Sequence, residues 1–472
     1  MIRKFSNFLI FRLLVKVMNS YYTKNNKKLS FIGVFGSVGK SSQTQLIAKL
    51  FKDSGYNVMA TKKNTINGLG MMLSGYDTSF EEGGIFKKFL FVMHIAWTLL
   101  TKKYDYQLNS IIVMEIGFDH QGECDEFKDI LSNNLDIAVI TALTDEHNLN
   151  YSNILNELEL DLVKRYIPKE LYESLSTSDI SISTKNVIIE MLKPLKYTKS
   201  YFVPSEIDKL SNSYYKGNVI DYEFVNNNFE FKNGFASLDG LNIDSNYILP
   251  QTFAKTLSIV DQIAKLYEIK NDVTVNIFQN LSLPNGRFSK FKGISNSTII
   301  DSTYNSDPDS VIGFLDSLKQ TLFNQSSSQY DLIKHNIILG EMRELGDVAK
   351  IKHEMILDQI IEIKNAYGDR IENIILLGEE WDKANQRETI AIEGNIKKLL
   401  YNNFIFNNYQ KVGDIIYFYK LNLRPSSWSW IKGSQNTIFL EVLVEYLLED
   451  KSQINKLCRQ EQRWFEARKP FL

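Results

Sequence analysis

The sequence predicts an α/β protein with a central domain built on a parallel sheet that carries a small β insert, followed by a second α/β domain. Three observations support this fold class. Short apolar runs alternate with helical stretches, as in parallel sheets whose two faces are both covered. A glycine-bounded loop, Gly36 to Ser42, joins the first apolar run to a helix. Turn residues from Leu281 to Arg287 then separate two series of such elements.

The first series predicts a central domain at residues 31–285. Its apolar runs favour three buried strands, and the residues after the glycine-bounded loop favour a helix. The strands are Phe31 to Phe35, Ile111 to Met114 and Ile137 to Ile140, and the helix is Ser41 to Lys52. Residues 197–250 contain short alternating runs such as Val219 to Phe224, so we expect them to form a small antiparallel β insert.

The second series predicts a Rossmann-like α/β domain at residues 286–472. Four apolar runs favour strands, namely Thr298 to Ile300, Asn336 to Leu339, Asn373 to Leu377 and Ile415 to Tyr419. The stretches between them favour helices, namely Asp309 to Leu322, Lys350 to Asn365 and the stretch around Asn395 to Asn402. For Trp428 and Trp430 we favour packing in the core or at a domain interface over stacking on a substrate. The charged and aromatic end of the chain, with Arg459, Trp464 and Arg468, predicts a docking helix.

The composition argues against a nucleic-acid-binding protein, since the formal net charge is −2 and binders of this kind usually have a basic face. Hydrophobic residues make up 44% of the chain, which is enough for a large core. The two cysteines, Cys124 and Cys458, lie far apart, so neither a disulfide framework nor a Cys-x-x-Cys metal site is indicated. We therefore expect a cytoplasmic protein.

Residues 1–30 predict an N-terminal amphipathic helix in front of the central domain. Residues 1–18 are apolar and basic, but Arg12 interrupts any signal-peptide core. The run is also too short and too charged to span a bilayer. Two interpretations stay open: packing on the protein, which we favour, and a weak contact with a membrane surface.

The glycine-bounded loop (GSVGKSS) predicts a phosphate-binding site, and the central domain is then of the P-loop type. Backbone N–H groups of such a turn converge on a phosphate, and the helix N-terminus adds a favourable dipole. In this interpretation Lys40 neutralises phosphate charge and the Ser41 hydroxyl ligates Mg²⁺. An ordinary strand-to-helix turn is the alternative, because Val34 stands where the longer form of the motif has its first glycine. The predicted nucleotide contacts of the loop are Gly36, Ser37, Val38, Gly39, Lys40, Ser41 and Ser42.

Two further polar residues follow buried strands of the same domain. Glu115 comes directly after Met114, and His147 follows the run that ends at Ile140. Taken singly, Glu115 is explained as well by a solvated glutamate at a strand end, and for His147 a structural role is favoured. Because the carboxyl ends of parallel strands meet at one edge of a sheet, both residues are expected to lie near the phosphate loop. Together with Ser41 they favour a magnesium site.

These segments resemble the motifs of the Mur ligases, which are ATP-dependent amide ligases of peptidoglycan synthesis, and among them the MurF type. The loop resembles the family's G-x-x-G-K-T-T, with serines in place of threonines. The other matching segments are NTINGLG (Asn64 to Gly70), EIGFDHQGE (Glu115 to Glu123), TALTDEH (Thr141 to His147), Gly286-Arg287, DSTYNSDPDS (Asp301 to Ser310), LGEMRELG (Leu339 to Gly346) with His353, and KGS (Lys432 to Ser434).

The resemblance implies ATP and Mg²⁺ as cofactors, with a small-molecule acid and a small-molecule amine as substrates. In the family a substrate carboxylate attacks the γ-phosphate of ATP, and an amine then displaces phosphate from the acyl phosphate. The residues implied as catalytic are Lys40, His147 and Arg287; the metal ligands are Ser41, Glu115 and His147; and the nucleotide contacts from the second domain are Arg287, Asp301, Tyr304 and Asn305. An ATP site divided between two domains implies domain closure on binding.

The sequence departs from the family in three places. Only about 30 residues precede the first strand, so we expect the usual N-terminal UDP-sugar domain to be absent. The family's carbamylated lysine has no counterpart in residues 156–163, and Glu159 stands nearest that position. We expect Glu159 to supply a metal-binding carboxylate directly; the alternative is a solvated helix face. The segment DSTYNSDPDS (Asp301 to Ser310) is here named the nucleotide segment. Ser302 replaces its second aspartate, so the adenine and ribose contacts are expected to differ.

Two classes of function stay open. The favoured one is a monomeric amide ligase that joins an amino acid or dipeptide to a cell-wall precursor or a related carboxylated sugar metabolite. The other is a nucleotide-binding regulator or assembly protein that has the fold and lacks ligase activity. The replaced threonines and the missing lysine are the support for the second class.

Overall fold

The computed structural model describes two compact units, one formed by Met1–Asn226 with Lys255–Ile277 and the other by Asn227–Ala254 with Phe278–Leu472. Within these units the structure describes residues 30–36, 39–60, 93, 97, 101, 110–116, 135–141, 200–203, 218–221, 229–232, 235–238, 241–243, 246–250, 253–325, 333–343, 345–384, 389–393, 396–433 and 438–472. Residues 1–18, His147 and Glu159 lie outside the described residues. None of the helices in the described ranges has the length and apolar character needed to cross a bilayer.

The first unit is built on a six-stranded sheet in which every neighbouring pair is parallel. In chain order its strands are β1 (Ser30–Phe35), β2 (Asn57–Ala60), β3 (Ser110–Glu115), β4 (Leu135–Ile140), β5 (Ser200–Val203) and β6 (Asn218–Asp221). The spatial order is β2-β3-β1-β4-β5-β6. Helix α1 (Lys40–Asp53) follows β1, and helices α2 (Phe253–Leu266) and α3 (Asn271–Gln279) come later in the chain.

The predicted strands and the predicted helix of the first series are confirmed by β1, β3, β4 and α1. Every residue of β1 and β4 is buried, as expected for continuous apolar runs in a parallel sheet. Strand β1 lies between β3 and β4, with Val34 opposite both Glu115 and Val139. The carboxyl ends of all three strands therefore meet at one edge of the sheet.

The predicted antiparallel insert is wrong for its Val219 to Phe224 run. The described residues of this run, Val219 to Asp221, lie in β6, which pairs parallel with β5 and extends the first sheet. A four-residue alternating run does not reveal whether its partner is parallel or antiparallel. The stretch between Val203 and Asn218 is long enough for the crossover of about a dozen residues that a parallel pair needs. The antiparallel part is a separate three-stranded sheet of β7 (Phe229–Lys232), β8 (Phe235–Leu238) and β9 (Leu241–Asn242).

The second unit contains an eight-stranded mixed sheet. Its strands are β10 (Ser289–Lys292), β11 (Thr298–Ser302), β12 (His335–Gly340), β13 (Ile371–Leu377), β14 (Thr389–Glu393), β15 (Ile396–Tyr401), β16 (Phe404–Tyr409) and β17 (Trp428–Lys432). The spatial order is β10-β11-β17-β12-β13-β16-β15-β14. The pairs from β11 to β16 are parallel, and the strands outside them are antiparallel. The helices are α4 (Pro308–Asn324), α5 (Ala349–Tyr367), α6 (Glu380–Ala384), α7 (Val412–Asn422), α8 (Glu441–Leu447) and α9 (Gln462–Arg468).

Side chains on both faces of this sheet are buried, which confirms the α/β prediction for the second half of the chain. Ile337 and Trp430 pack in one apolar core, and Ile338 and Ile431, one residue further along each strand, pack in the other. The Trp430 ring meets Phe314 of α4 edge-on at 5.6 Å between centroids. Packing in the core is therefore the role that the structure gives to Trp430.

The predicted strand at Ile415 to Tyr419 is wrong, because these residues lie in helix α7. Val412, Ile415 and Tyr419 are buried at helical spacing, whereas Tyr417 is 65% exposed. A short run rich in Ile, Tyr and Phe has strand propensity, but periodicity alone does not separate a short buried strand from a helix segment. Tertiary packing decides this case.

The predicted helix around Asn395 to Asn402 is also wrong. Residues Ile396–Tyr401 form strand β15, which pairs antiparallel with β16 and places Tyr401 opposite Phe404. The two residues between the strands, Asn402 and Asn403, have φ angles of 45° and 65°. Asparagine tolerates positive φ and so favours the tight turn of a two-residue hairpin. This asparagine pair is the sequence signal that distinguishes the hairpin from a helix.

Candidate functional site

The glycine-bounded loop lies between the end of β1 and the start of α1, at the carboxyl edge of the first sheet. Gly36 and Gly39 have φ angles of 125° and 87°, which residues with a side chain rarely adopt. Gly39 immediately precedes the first helical residue, Lys40. The first backbone N–H groups of a helix have no partner within it, so this end of α1 is suited to an anion. Ser37 and Val38 lie outside the described residues.

Two cross-contacts shape the described part of the loop. Lys40 Nζ donates a hydrogen bond to the Gly36 carbonyl oxygen at 2.5 Å, so the lysine folds back across the loop. Thr141, the residue after β4, donates to Phe35 O from both its backbone nitrogen (3.0 Å) and its hydroxyl (3.1 Å). Lys40 thereby closes the loop on itself, and Thr141 ties the end of β1 to the end of β4.

Ser41 and Glu115 are brought into direct contact. Ser41 Oγ donates to Glu115 Oε1 at 3.0 Å, and both side chains are partly buried. Hydroxyl and carboxylate oxygens are the ligands that Mg²⁺ prefers, so this pair fits a magnesium ion. Ser42, in contrast, is buried in the first turn of α1. Within the described ranges there is no group of three or more His, Cys, Asp or Glu side chains that could hold a metal ion.

Asp301 lies at the end of β11 and is fully buried. Its Oδ1 accepts hydrogen bonds from Thr303 N (3.0 Å) and Thr303 Oγ1 (2.7 Å), which closes a turn after the strand. Among the described residues its Oδ2 has no hydrogen-bond partner. Burial raises the pKa of the Asp301 carboxyl to about 6, although the Thr303 hydrogen bonds oppose the rise. Asp301 stabilises this turn, and its contact with a nucleotide stays a prediction.

Arg287 and Tyr304 form a stacked pair. The Arg287 guanidinium carbon lies 4.5 Å from the centroid of the Tyr304 ring, which is in the range of a cation–π interaction. The backbone supports the pair, since Tyr304 N donates to Gly286 O at 3.1 Å. Gly286 has a φ of 74°, and a Cβ there would come within 3.0 Å of Tyr304 N. Only glycine therefore fits this close approach of two turns.

Asn305 and Lys432 connect two further predicted segments. Lys432, the buried last residue of β17, donates from Nζ to Asn305 O at 2.7 Å. Gly433 N reaches Ser302 O at 3.4 Å. The segment then enters α4, whose start is stabilised by a reciprocal capping box between Asp307 and Ser310. The described residues of the KGS motif thus support the DSTYNSDPDS segment.

His353 has a structural role in the LGEMRELG segment. Its Nε2 accepts a hydrogen bond from Met342 N at 3.0 Å, and its Nδ1 therefore donates to Ala349 O at 2.7 Å. Burial lowers the pKa of His353 to about 4, so the ring is neutral near pH 7. The same segment places Glu341 at the end of β12, where its Oε2 accepts from Glu380 N at 3.0 Å.

Sequence reasoning missed a buried cluster behind the nucleotide segment, formed by Glu441, Cys458 and Arg459. Arg459 was expected in a C-terminal docking helix, but α9 begins only at Gln462. Arg459 lies before that helix with a φ of 54° and is buried. The only sequence signal was a charged C-terminal segment. The carbonyl groups that Arg459 binds, Thr303 O and Tyr304 O, lie 156 and 155 positions earlier, so no local sequence pattern indicates these contacts.

The comparisons with known proteins find similarity to the Mur ligases. The Mur ligase middle domain matches residues 34–160. A curated relative, the UDP-N-acetylmuramoyl-tripeptide--D-alanyl-D-alanine ligase of Rickettsia prowazekii, is 27% identical over 358 residues. That match covers 72% of this chain and 65% of the relative, so the chain spans less than two thirds of the length of this relative.

Two solved structures share the fold over almost the whole chain. MurF from Acinetobacter baumannii covers 93% of this chain with a TM-score of 0.61 and 17% identity, over 81% of its own length. MurF ligase from Thermotoga maritima, solved in complex with ADP, covers 96% of this chain with a TM-score of 0.63 and 14% identity, over 84% of its own length. The chain thus carries a Mur ligase middle domain at residues 34–160 and has the fold of the MurF ligases.

Proposed function

We propose that the protein is an ATP-dependent ligase that joins a carboxylic acid to an amine through an acyl phosphate. The observation that carries the proposal is the arrangement of Lys40, Ser41 and Glu115 at the strand edge of a Mur ligase middle domain. This arrangement combines one cation for phosphate with two oxygen ligands for Mg²⁺. The cofactors of the proposed reaction are ATP and Mg²⁺.

The proposed reaction brings a negatively charged carboxylate to the negatively charged phosphates of ATP, and the site residues reduce the resulting repulsion. A carboxylate oxygen of the acid attacks the γ-phosphorus of ATP, and the bond from that phosphorus to the ADP oxygen breaks. The amine nitrogen then attacks the acyl carbon, loses a proton and displaces phosphate. The first step brings two anions together, so positive charge at the phosphates lowers its barrier. Lys40 provides such charge, and Mg²⁺ held by Ser41 and Glu115 would neutralise more.

The remaining predicted residues are proposed as further contacts of the metal and of the nucleotide. His147 and Glu159 are proposed as further metal ligands. Arg287, Tyr304 and Asn305, supported by Asp301, are proposed to hold the nucleotide. Their support is the stacked Arg287–Tyr304 pair and the tie from Lys432 to Asn305.

For the substrates we propose an amino acid or dipeptide as the amine and a cell-wall precursor or related carboxylated sugar metabolite as the acid. The support is the printed activity of the Rickettsia relative, a ligase of UDP-N-acetylmuramoyl-tripeptide and D-alanyl-D-alanine.

The test is acceptor-dependent turnover of ATP by the purified protein with Mg²⁺. Pooled carboxylic acids and amines, including UDP-muramoyl peptides and D-alanyl-D-alanine, are supplied together and then singly while ADP and phosphate are measured. An acid labelled with ¹⁸O in its carboxylate should transfer one labelled oxygen to the released phosphate. Tight ATP binding without ADP release in any pool would contradict the proposal and favour a nucleotide-binding regulator.

A further inference from the structure

We propose that residues 455–459, here named the C-terminal clamp, position the Arg287–Tyr304 pair for nucleotide binding, with Arg459 as the positioning residue. The inference rests on the proposed function, since it concerns how well the second unit holds ATP. All the residues that carry it lie in that unit.

The first observation is that the Arg459 side chain forms hydrogen bonds with the backbone of the nucleotide segment. Its Nη1 and Nη2 both donate to Thr303 O at 3.1 Å, and Nη2 also donates to Tyr304 O at 3.0 Å. Arg459 is only 8% exposed. Hydrogen bonds from a charged donor are stronger than neutral ones, and the planar guanidinium fixes the direction of both carbonyls. The backbone on which Tyr304 stands is therefore held from the C-terminal side.

The second observation is a tie to the turn that carries Arg287. Asn285 Nδ2 donates to Asn455 O and to Leu457 O, each at 3.1 Å. These two carbonyls belong to the clamp, and Asn285 is two residues before Arg287. The clamp thus forms hydrogen bonds with the turn that carries Tyr304, through Arg459, and with the turn that carries Arg287, through Asn285.

The third observation is the tight packing between the two turns. A Cβ at Gly286 would come within 3.1 Å of Cys458 Sγ as well as close to Tyr304 N. Cys458 Sγ in turn lies 3.4 Å from Thr303 Oγ1. A displacement of the clamp would therefore move both turns, because Cys458 packs closely against Gly286 of one turn and Thr303 of the other.

The fourth observation is that Arg459 sits there in spite of unfavourable local features. Its backbone is left-handed, with a φ of 54°, which a non-glycine residue adopts only under tertiary constraint. Its charge is buried beside Glu441, at 3.6 Å from Nη1 to Oε2. A side chain that merely filled space would need neither feature. The strained backbone and the buried charge together indicate that the hydrogen bonds of Arg459 to the nucleotide segment are what hold it in this position.

The consequence for ATP follows from the geometry of the pair. Tyr304 is 39% exposed and Arg287, which stacks on its ring, is partly exposed, so both residues can reach a ligand once their backbones are fixed. Loss of the clamp would allow the two turns to move relative to one another. Affinity for ATP should then fall, whereas the site for the acid or amine should be unaffected.

The test compares Arg459→Gln with Arg468→Gln in the full chain. Arg468 is a matched control, because it is an equally buried arginine of the same C-terminal segment that pairs with Glu445 at 3.1 Å and does not touch the nucleotide segment. Both variants should lose thermal stability. Only Arg459→Gln should raise the Kd for ATP with Mg²⁺ and the KM for ATP, by about tenfold or more, with the KM for the other substrates unchanged.

A second variant keeps the test decisive if Arg459→Gln does not fold. Asn285 is exposed, so Asn285→Ala should fold and should weaken ATP binding in the same direction. An unchanged Kd for ATP in Arg459→Gln, or in Asn285→Ala where the former does not fold, would overturn the inference. If the wild-type protein itself binds no ATP, the proposed function fails, and the inference fails with it.

Discussion

Ser41 Oγ donates a hydrogen bond to Glu115 Oε1 over 3.0 Å, although 74 positions separate the two residues in the sequence. The contact follows from the topology of the first sheet. Strand β1 pairs parallel with β3, and Val34 lies directly opposite Glu115. The carboxylate therefore stands beside the loop that begins immediately after β1. The parallel pairing of β1 with β3 thus brings the Ser41 hydroxyl and the Glu115 carboxylate, two of the groups proposed to bind Mg²⁺, into contact.

Replacement of Glu115 by Gln should weaken the dependence of the reaction on Mg²⁺. The amide keeps the size and can still meet Ser41, but it lacks the negative charge that attracts a hard cation. We expect the Mg²⁺ concentration for half-maximal ATP turnover to rise about tenfold or more. Ser41→Thr is the control, since it keeps the hydroxyl and should retain the wild-type Mg²⁺ dependence. An unchanged Mg²⁺ titration of Glu115→Gln would remove Glu115 from the metal site.

Replacement of Lys40 by Ala should abolish most ATP turnover while the protein stays folded. Lys40 is the only cation of the described loop, and removal of one stabilising charge or donor typically costs about 100- to 1,000-fold in rate. Lys49→Ala is a suitable control on the same helix, because Lys49 forms an i,i+4 pair with Asp53. Rates of ADP release near the wild-type value for Lys40→Ala would show that the loop does not bind the transferred phosphate.

Gly39→Ala tests whether the left-handed backbone of the loop serves ligand binding. Gly39 and Gly55 have φ angles of 87° and 84°, and among the described residues a Cβ at either position would meet nothing closer than 3.9 Å. Both alanine variants should therefore lose about 1 kcal/mol of stability from backbone strain alone. Only Gly39→Ala should also weaken ATP binding, since its backbone borders the proposed phosphate site. Equal ATP affinities of the two variants, measured by titration, would contradict this role.

The elements predicted correctly from the sequence are those whose local pattern of apolar and capping residues favours the same structure that their packing in the fold requires. β1, β12 and β13 contain apolar runs and have parallel neighbours on both sides, and α4 begins at a Pro after a capping Asp307. The wrong assignments concern short runs whose partners decide their structure. Helix α7 has strand-like composition, and β6 alternates like a hairpin strand although its partner is parallel.

The same distinction applies to the candidate site. Lys40, Ser41 and Glu115 were predictable because glycines and strand ends mark their positions. Arg459 was not predictable as a support of the nucleotide segment, since its partner Thr303 lies 156 positions earlier. No periodicity or turn signal carries such information, which only the folded chain provides.

Glu441 lies in the buried charged cluster of the second unit. The charged groups that face it are Arg459, Asp301 and Arg468. Burial raises the pKa of Glu441 to about 7, although Arg459 opposes the rise. A carboxyl whose pKa is higher in the folded than in the unfolded protein binds protons more tightly when folded. Its contribution to stability is therefore fully present below about pH 4.5 and is lost as the pH rises through about 7.

Glu441→Gln should remove this loss, because the amide stays neutral. Relative to the wild type, the variant should gain on the order of 2–3 kcal/mol in unfolding free energy between pH 5 and pH 8. Asp301, whose raised pKa acts in the same direction, and His353, whose lowered pKa acts in the opposite direction, remain in both proteins. The difference between the proteins therefore reports Glu441 together with the change that its loss causes in the neighbouring Asp301. Denaturant unfolding followed by tryptophan fluorescence is suitable, since Trp381, Trp428, Trp430 and Trp464 all lie in this unit. If the two stability curves run parallel between pH 5 and pH 8, Glu441 does not take up a proton on folding in that range.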